Sequence, residues 1–108
     1  MATEPFIAII DHKEIAVYQN ANTGLFYIIL SDGSHTPVDY DLIRIRTTSR
    51  QRLKYWRNRF GYTQAELARL IHVSSPTVIM TWESGLRYPR KEYRRLLDNI
   101  LGGDVFLD

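Results

Sequence analysis

The feature that most constrains the fold of this chain is a change in the spacing of its apolar residues near residue 48. Before that point they occur in short runs rich in β-branched and aromatic side chains, as at residues 6–10 and 25–30, a composition typical of β-strands. After it they recur every three or four positions, as at Leu53, Trp56 and Phe60, which is typical of helices. The sequence therefore predicts an α+β protein, in which a small N-terminal antiparallel β-sheet of three or four strands precedes four or five helices.

The N-terminal part, residues 1–47, reads as a set of short strands joined by turns. We predict strands at residues 6–10, 14–19 and 25–30, and a weaker fourth strand at residues 42–46. Turn-forming residues separate them, including Asp32-Gly33, a dipeptide that suits a tight hairpin. Because the connections are short, the strands are expected to pair antiparallel.

The helices of residues 48–108 are marked by their caps. Two of them open with a threonine followed three residues later by Gln or Glu, the spacing of a capping box: Thr48/Gln51 and Thr63/Glu66. Ser75 before Pro76 predicts a third helix start, with proline at the first helical position, and Gly85 ends that helix. The apolar residues of these helices are interpreted as core: Trp56, Phe60, Leu67, Leu70, Ile79, Trp82, Leu96 and Leu97.

Charge is distributed unevenly along the chain. Residues 1–43 carry a net charge of −5, whereas residues 44–108 carry +7. A basic block on one half is typical of proteins that bind polyanions, although a solvated helix face gives the same pattern. The acidic half favours a basic partner only weakly.

Several classes of function are disfavoured by composition. The chain has no cysteine, and His12, His35 and His72 share no metal-ligand spacing, so we expect neither disulfides nor a metal or other cofactor. No apolar run reaches the ~20 residues of a membrane span, and the first residues lack a secretory signal, which predicts a cytoplasmic protein without membrane partners. No nucleophile–base pair, carboxylate dyad or phosphate-binding glycine loop is recognisable, so we expect no enzymatic activity.

Residues 50–101 resemble a known family. They contain, in this order, Leu53-Lys54-x-Trp56-Arg57, Gly61-x-Thr63-Gln64-x-x-Leu67-Ala68, Val73-Ser74, Trp82-Glu83-x-Gly85 and Pro89. This ordered set is similar to the Xre/λ-repressor/Cro-type helix-turn-helix. The resemblance implies a λ-repressor-like helical domain over residues 48–108 that docks a recognition helix into the major groove of double-stranded DNA. It also implies an ion pair between Arg57 and Glu83 that ties the first helix to the end of the recognition helix.

The resemblance also indicates which residues meet DNA. The expected contacts to bases come from the recognition helix: Pro76, Thr77, Val78, Met80 and Thr81. The expected contacts to phosphates come from helix starts and surrounding basic residues: Thr63, Gln64, Ser75, Arg50, Arg52, Lys54, Arg87, Arg90 and Lys91. Because the recognition helix has no Arg, Asn or Gln, we expect modest direct readout and a larger share for apolar contacts and DNA shape.

One departure from the family pattern concerns the turn before the recognition helix. The family usually has glycine where this chain has His72, and the tract from Val73 to Trp82 is one residue longer. Taking Ser75 rather than Ser74 as the cap restores the family spacing of Ile79, Trp82 and Glu83. His72 then either adopts a left-handed conformation or is relieved of it by the longer turn.

Two functional hypotheses follow from these patterns. The first is a sequence-specific transcriptional regulator, a repressor or autoregulator that binds a pseudo-palindromic operator as a homodimer. The alternative is an antitoxin-type interaction protein, whose β region binds a partner protein while its helices bind the operator. For the β region we consider dimerisation through the exposed edge of the strand at residues 6–10 or 25–30, partner binding, or a purely structural role as a cap on the helical core.

Overall fold

The computed structural model describes residues 4–106 of the chain. The backbone divides into two compact units, residues 1–47 and residues 48–108. Among the described residues, no helix is both long enough and apolar enough to cross a membrane.

The first unit is a four-stranded antiparallel sheet in which each strand pairs with the next along the chain. Its strands are β1 (Phe6–Ile10), β2 (Lys13–Gln19), β3 (Phe26–Ile29) and β4 (His35–Pro37). β1 and β2 are joined by Asp11 and His12, both with positive φ, as a type I′ turn requires. This register pairs Ala8 with Ile15 and Phe6 with Val17.

One face of the sheet is packed and the other is open. On the packed face, Ala8, Val17 and Phe26 are buried, and the Phe26 ring stacks on Tyr40, with the ring centroids 6.1 Å apart. Alternation along the strands places the next residues on the opposite face, where Tyr18 stacks on Tyr27 and Tyr27 on His35. We call this second side the Tyr18/Tyr27 face; it also carries the exposed side chains of Ile7, Ile9 and Ile29.

The predicted fourth strand at residues 42–46 is wrong. This segment forms a short helix, α1 (Tyr40–Ile43), and a 3₁₀ turn at Arg44–Arg46. The Asp39 carboxylate caps α1 by accepting a hydrogen bond from the Asp41 amide, and the buried residues Tyr40 and Ile43 are three positions apart, so helical burial prevails over the weak alternation.

The fourth strand is β4, which ends at Pro37 and lies at a sheet edge, where a missing N–H costs no ladder bond. Of the two strands considered for pairing across subunits, at residues 6–10 or 25–30, the second offers no free edge. β3 is hydrogen-bonded to β2 on one side and to β4 on the other, so β1 and β4 form the edges.

The second unit is a bundle of four helices: α2 (Ser49–Arg59), α3 (Gln64–Leu70), α4 (Pro76–Ser84) and α5 (Lys91–Ile100). Both predicted capping boxes are confirmed, at Thr48/Gln51 and Thr63/Glu66. The fold class predicted from the sequence, a small antiparallel sheet followed by helices, is therefore confirmed.

The core of this unit differs in part from the predicted one. Leu67, Ile79, Trp82 and Leu97 are buried as predicted. Phe60, Leu70 and Leu96 were also predicted as core, and this is wrong, because each keeps more than a third of its surface exposed. Phe60 and Leu70 lie at or just beyond helix ends, where the helical repeat no longer decides which side is covered.

The end of the core lies beyond the last helix. Val105 and Phe106 follow the glycines at 102 and 103 and are buried in the same cluster. The Asp98 carboxylate accepts hydrogen bonds from both of their amides, each at 3.1 Å. A glycine pair thus reverses the chain after α5 instead of ending the folded unit.

Candidate nucleic-acid interface

Helices α3 and α4 form a closely packed pair joined by a five-residue turn. The Thr63 hydroxyl accepts from the Glu66 amide and the Glu66 carboxylate accepts from the Thr63 amide, which fixes the start of α3. Hydrogen bonds to the Glu66 carboxylate from the Thr63 backbone amide and then from the Thr63 side chain lower the pKa of Glu66 below its ordinary value of 4.5. Ala68, in the middle of α3, is buried, and its small side chain permits close packing.

The turn between α3 and α4 contains a left-handed histidine. His72 has a φ of 60°, and its amide donates to the Arg69 carbonyl, while the Val73 amide donates to the Ala68 carbonyl. This pair of bonds is the Schellman arrangement, which usually has glycine at the left-handed position. Of the two alternatives for His72, the structure therefore has the left-handed one.

The start of α4 follows the register that assigns Ser75 as the cap. Ser75 Oγ accepts from the Thr77 amide at 3.0 Å, and Pro76 occupies the first turn of the helix. This register places Ile79, Trp82 and Glu83 on the buried side. Pro76, Thr77 and Met80 are exposed on the other side, and Val78 and Thr81 are half-buried.

A buried ion pair ties the end of α4 to α2. Arg57 donates through Nε and Nη2 to the two carboxylate oxygens of Glu83, at 2.6 and 3.1 Å. The two side chains are only 10% and 2% exposed. Arg57 Nη1 also donates to the Tyr62 carbonyl, and the Gln64 amide donates to Glu83 at 3.1 Å. α2, α3 and α4 thus meet at one carboxylate, which fixes the orientation of α4.

A second arginine contacts the C-terminal end of α4. Arg50 Nη1 donates to the Ser84 carbonyl at 3.2 Å, where the helix leaves carbonyl groups without intrahelical partners. Gly85 follows with a φ of 82°, and a Cβ there would lie 2.5 Å from Arg50 Nη1. The sequence gives no signal for this contact, because the two residues are far apart in the chain.

The predicted basic residues are placed differently from one another. Arg52 is 6% exposed and donates to the Val105 carbonyl at 2.7 Å, so it is a structural residue of the bundle. Lys54 is half-buried on α2, and Arg87 and Lys91 are exposed. Arg90 is also exposed, with its guanidinium 5.9 Å from the centre of the Tyr93 ring.

A cleft of about 730 Å³ runs along one side of α4. On the α4 side it is lined by Thr77, Val78 and Thr81, and on the loop side by Arg87 and Arg90. The structure therefore brings three of the predicted base-contact residues together with two of the predicted phosphate-contact residues. Sequence reasoning missed His72 and Tyr93, which also line this cleft.

Comparison with known proteins agrees with this geometry. Residues 53–105 match the model of a family described as helix-turn-helix, of the Cro/C1 type. The match begins in α2 and ends at the buried Val105, so it includes all of the α3–α4 pair. No curated protein and no solved structure was found to match the chain.

Proposed function

The chain belongs to the Cro/C1-type, Xre-like helix-turn-helix family of DNA-binding regulators, and we propose that it is a sequence-specific transcriptional repressor that docks α4 into the major groove of its operator. The observation that carries this proposal is the cleft beside α4, where the exposed hydroxyl-bearing side of the helix adjoins Arg87 and Arg90. The major groove of B-form DNA is wide enough to admit an α-helix. The proposal includes a cytoplasmic location and no catalytic activity.

Base contacts and backbone contacts are assigned to different parts of this surface. We assign the bases to Pro76, Thr77, Val78, Met80 and Thr81. The phosphates are assigned to residues at the starts of α3 and α4 and to basic residues of α2, of the loop after α4 and of the start of α5: Thr63, Gln64, Ser75, Arg50, Lys54, Arg87, Arg90 and Lys91. Arg52 is left out, because its side chain is buried against Val105. Helix N-termini suit phosphate because their amide groups and dipoles favour negative charge.

The test is a set of gel-shift titrations of the full chain on genomic fragments, including its own promoter, at two salt concentrations. A preferred fragment that is bound at least tenfold more tightly than the rest is the expected result. Affinity for every fragment is expected to fall steeply with salt, because phosphate contacts release counterions. Absence of binding at low salt would refute the proposal, and salt-sensitive binding with no preferred fragment would reduce it to non-specific binding.

We further propose that the protein binds its operator as a homodimer through the free edge of β1. β1 is an edge strand, and unpaired edges extend sheets across subunits. Two copies joined by such a contact bind two half-sites about one helical turn apart, as dimeric helix-turn-helix proteins do.

A matched pair of variants tests the site of dimerisation. Ile9 on β1 and Ile29 on β3 lie on the same Tyr18/Tyr27 face and are 54% and 45% exposed. A charge on the edge strand hinders strand pairing, so Ile9→Lys is expected to weaken the dimer in sedimentation velocity, whereas Ile29→Lys leaves it intact. A monomeric wild type, or an unaffected Ile9→Lys dimer, would contradict this assignment.

The second candidate function is that of an antitoxin-type protein whose sheet binds a basic partner. It is favoured by the exposed apolar side chains of the Tyr18/Tyr27 face and the carboxylates near one end of the sheet, at Asp11, Glu14 and Asp32. Hydrogen bonds from the Ser34 hydroxyl and amide lower the pKa of Asp32 below its ordinary value of 3.8 and so favour the charged carboxylate. The test uses a small basic protein that is encoded by a neighbouring gene. If the wild type binds it and neither Ile9→Lys nor Ile29→Lys does, the result supports this second function.

A further inference from the structure

The outward face of α4 has an unusual composition for a surface that is to read base pairs. It comprises Pro76, Thr77, Met80, Thr81 and Ser84, on the side opposite the buried residues of the helix. The one ionisable side chain of α4 is Glu83, which is buried in its pair with Arg57. The outward face therefore carries neither a charged group nor a side-chain amide.

Two of the three hydroxyl groups on this face donate within the helix. Thr81 Oγ1 donates to the Val78 carbonyl at 2.7 Å, and Ser84 Oγ donates to the Thr81 carbonyl at 3.2 Å. Threonine then presents chiefly its methyl group, beside the Met80 side chain, which is 42% exposed. The exposed surface in the middle of α4 therefore consists mainly of methyl, methylene and thioether groups.

The major groove displays one apolar group that such a surface can recognise, the C5-methyl group of a pyrimidine. Guanine and adenine are usually read by bidentate hydrogen bonds from Arg, Lys, Asn or Gln, none of which occurs in α4. A thymine methyl, in contrast, is read by apolar side chains and threonine methyls. Side chains one helical turn apart lie about 6 Å from each other, close to two base-pair steps of about 3.4 Å each.

From this composition we infer that α4 reads the C5-methyl groups of pyrimidines through the Met80 side chain and the methyl groups of Thr77 and Thr81. The inference rests on the proposed major-groove function and names the chemistry that α4 selects. Thymine and 5-methylcytosine carry the same methyl group at the same ring position, so either base supplies it. Arg87 and Arg90, outside α4, supply attraction to phosphate that does not depend on sequence.

Substitution of single bases in the fragment that the full chain prefers tests this inference. Deoxyuridine in place of thymine removes the methyl group and keeps the base pair. Each contacted methyl removed is expected to lower affinity about fourfold, the equivalent of one buried methylene, while the same substitution outside the half-sites changes nothing. In a parallel experiment the cytosines of the half-site are methylated at C5. A gain in affinity of similar size would identify 5-methylcytosine as the base that supplies the methyl group.

A protein variant links the methyl group to its reader. Met80→Ala is expected to bring the affinity ratio between thymine and deoxyuridine duplexes close to one at the thymine that Met80 contacts, and to leave the ratio at the other contacted thymines unchanged. Leu70→Ala is the matched control, since Leu70 is an apolar residue of α3 with 46% exposure and no assigned contact to DNA; it keeps the wild-type ratio. If neither base substitution changes affinity, or Met80→Ala keeps the full ratio at every contacted thymine, methyl readout is overturned while DNA binding stands. A chain that binds no fragment overturns the proposed function itself.

Discussion

Removal of either partner of the Arg57–Glu83 pair is expected to destabilise the helical unit far more than removal of both. In Glu83→Leu, two guanidinium nitrogens of Arg57 lose their acceptors, and the side-chain amide of Gln64 loses the carboxylate to which it donates. In Arg57→Met, the carboxylate of Glu83 stays buried with the Gln64 amide as a remaining donor. Because both side chains are almost fully buried, each single variant is expected to lose about 3–5 kcal/mol of unfolding free energy.

The double variant Arg57→Met/Glu83→Leu leaves no buried charge at this position. Apolar pairs of similar volume often replace buried ion pairs at little cost, so the double variant is expected within about 1 kcal/mol of the wild type. Urea denaturation followed by tryptophan fluorescence measures this, since Trp56 and Trp82 both lie in the helical unit. Arg59→Met, at an exposed arginine of the same helix, is the control. A double variant as unstable as the sum of the two single variants would refute the reasoning.

Three further changes test local features of this unit. His72→Gly is expected to raise the unfolding free energy by about 1 kcal/mol, because glycine has no penalty at a left-handed position; His72→Ala keeps the strain, and equal stabilities in thermal denaturation would contradict this cause. Gly85→Ala is expected to cost about 1–2 kcal/mol and to displace Arg50, and a variant as stable as the wild type would refute that. Since the folded-state pKa of Glu66 is lowered, its stabilising effect is present above pH 4.5 and is lost as the pH falls through that lowered pKa. Acid titrations of wild type and Glu66→Gln are therefore expected to converge at low pH, and parallel curves would count against this effect.

Helix starts in this chain are predictable because their signals are local. Thr48, Thr63 and Ser75 each accept a hydrogen bond from an amide two or three residues ahead, so residue type and spacing alone indicate the cap. The cap at Ser75 also sets the register of α4, including which residues are buried. His72 could be identified as the position under strain, but the choice between its two conformations depends on bonds to the Arg69 and Ala68 carbonyls.

What the sequence did not predict depends on contacts between distant residues. Residues 42–46 have a weak strand pattern, and burial of Tyr40 and Ile43 decides that the segment starting at Tyr40 is helical. Arg52 looks like any other basic residue of α2, yet its acceptor is the carbonyl of Val105, 53 residues away. Charge alone therefore does not distinguish a structural arginine from one on the surface.

The central claim, that α4 lies in the major groove of DNA, is tested most directly by dimethyl sulfate protection. The reagent methylates guanine N7 in the major groove and adenine N3 in the minor groove, so one experiment reports on both grooves. With the full chain bound to its preferred fragment, we predict protection of guanine N7 in two half-sites about one helical turn apart. The N3 atoms of adenines within the same two half-sites are expected to stay reactive toward dimethyl sulfate. Protection of adenine N3 with guanine N7 left reactive would contradict the account.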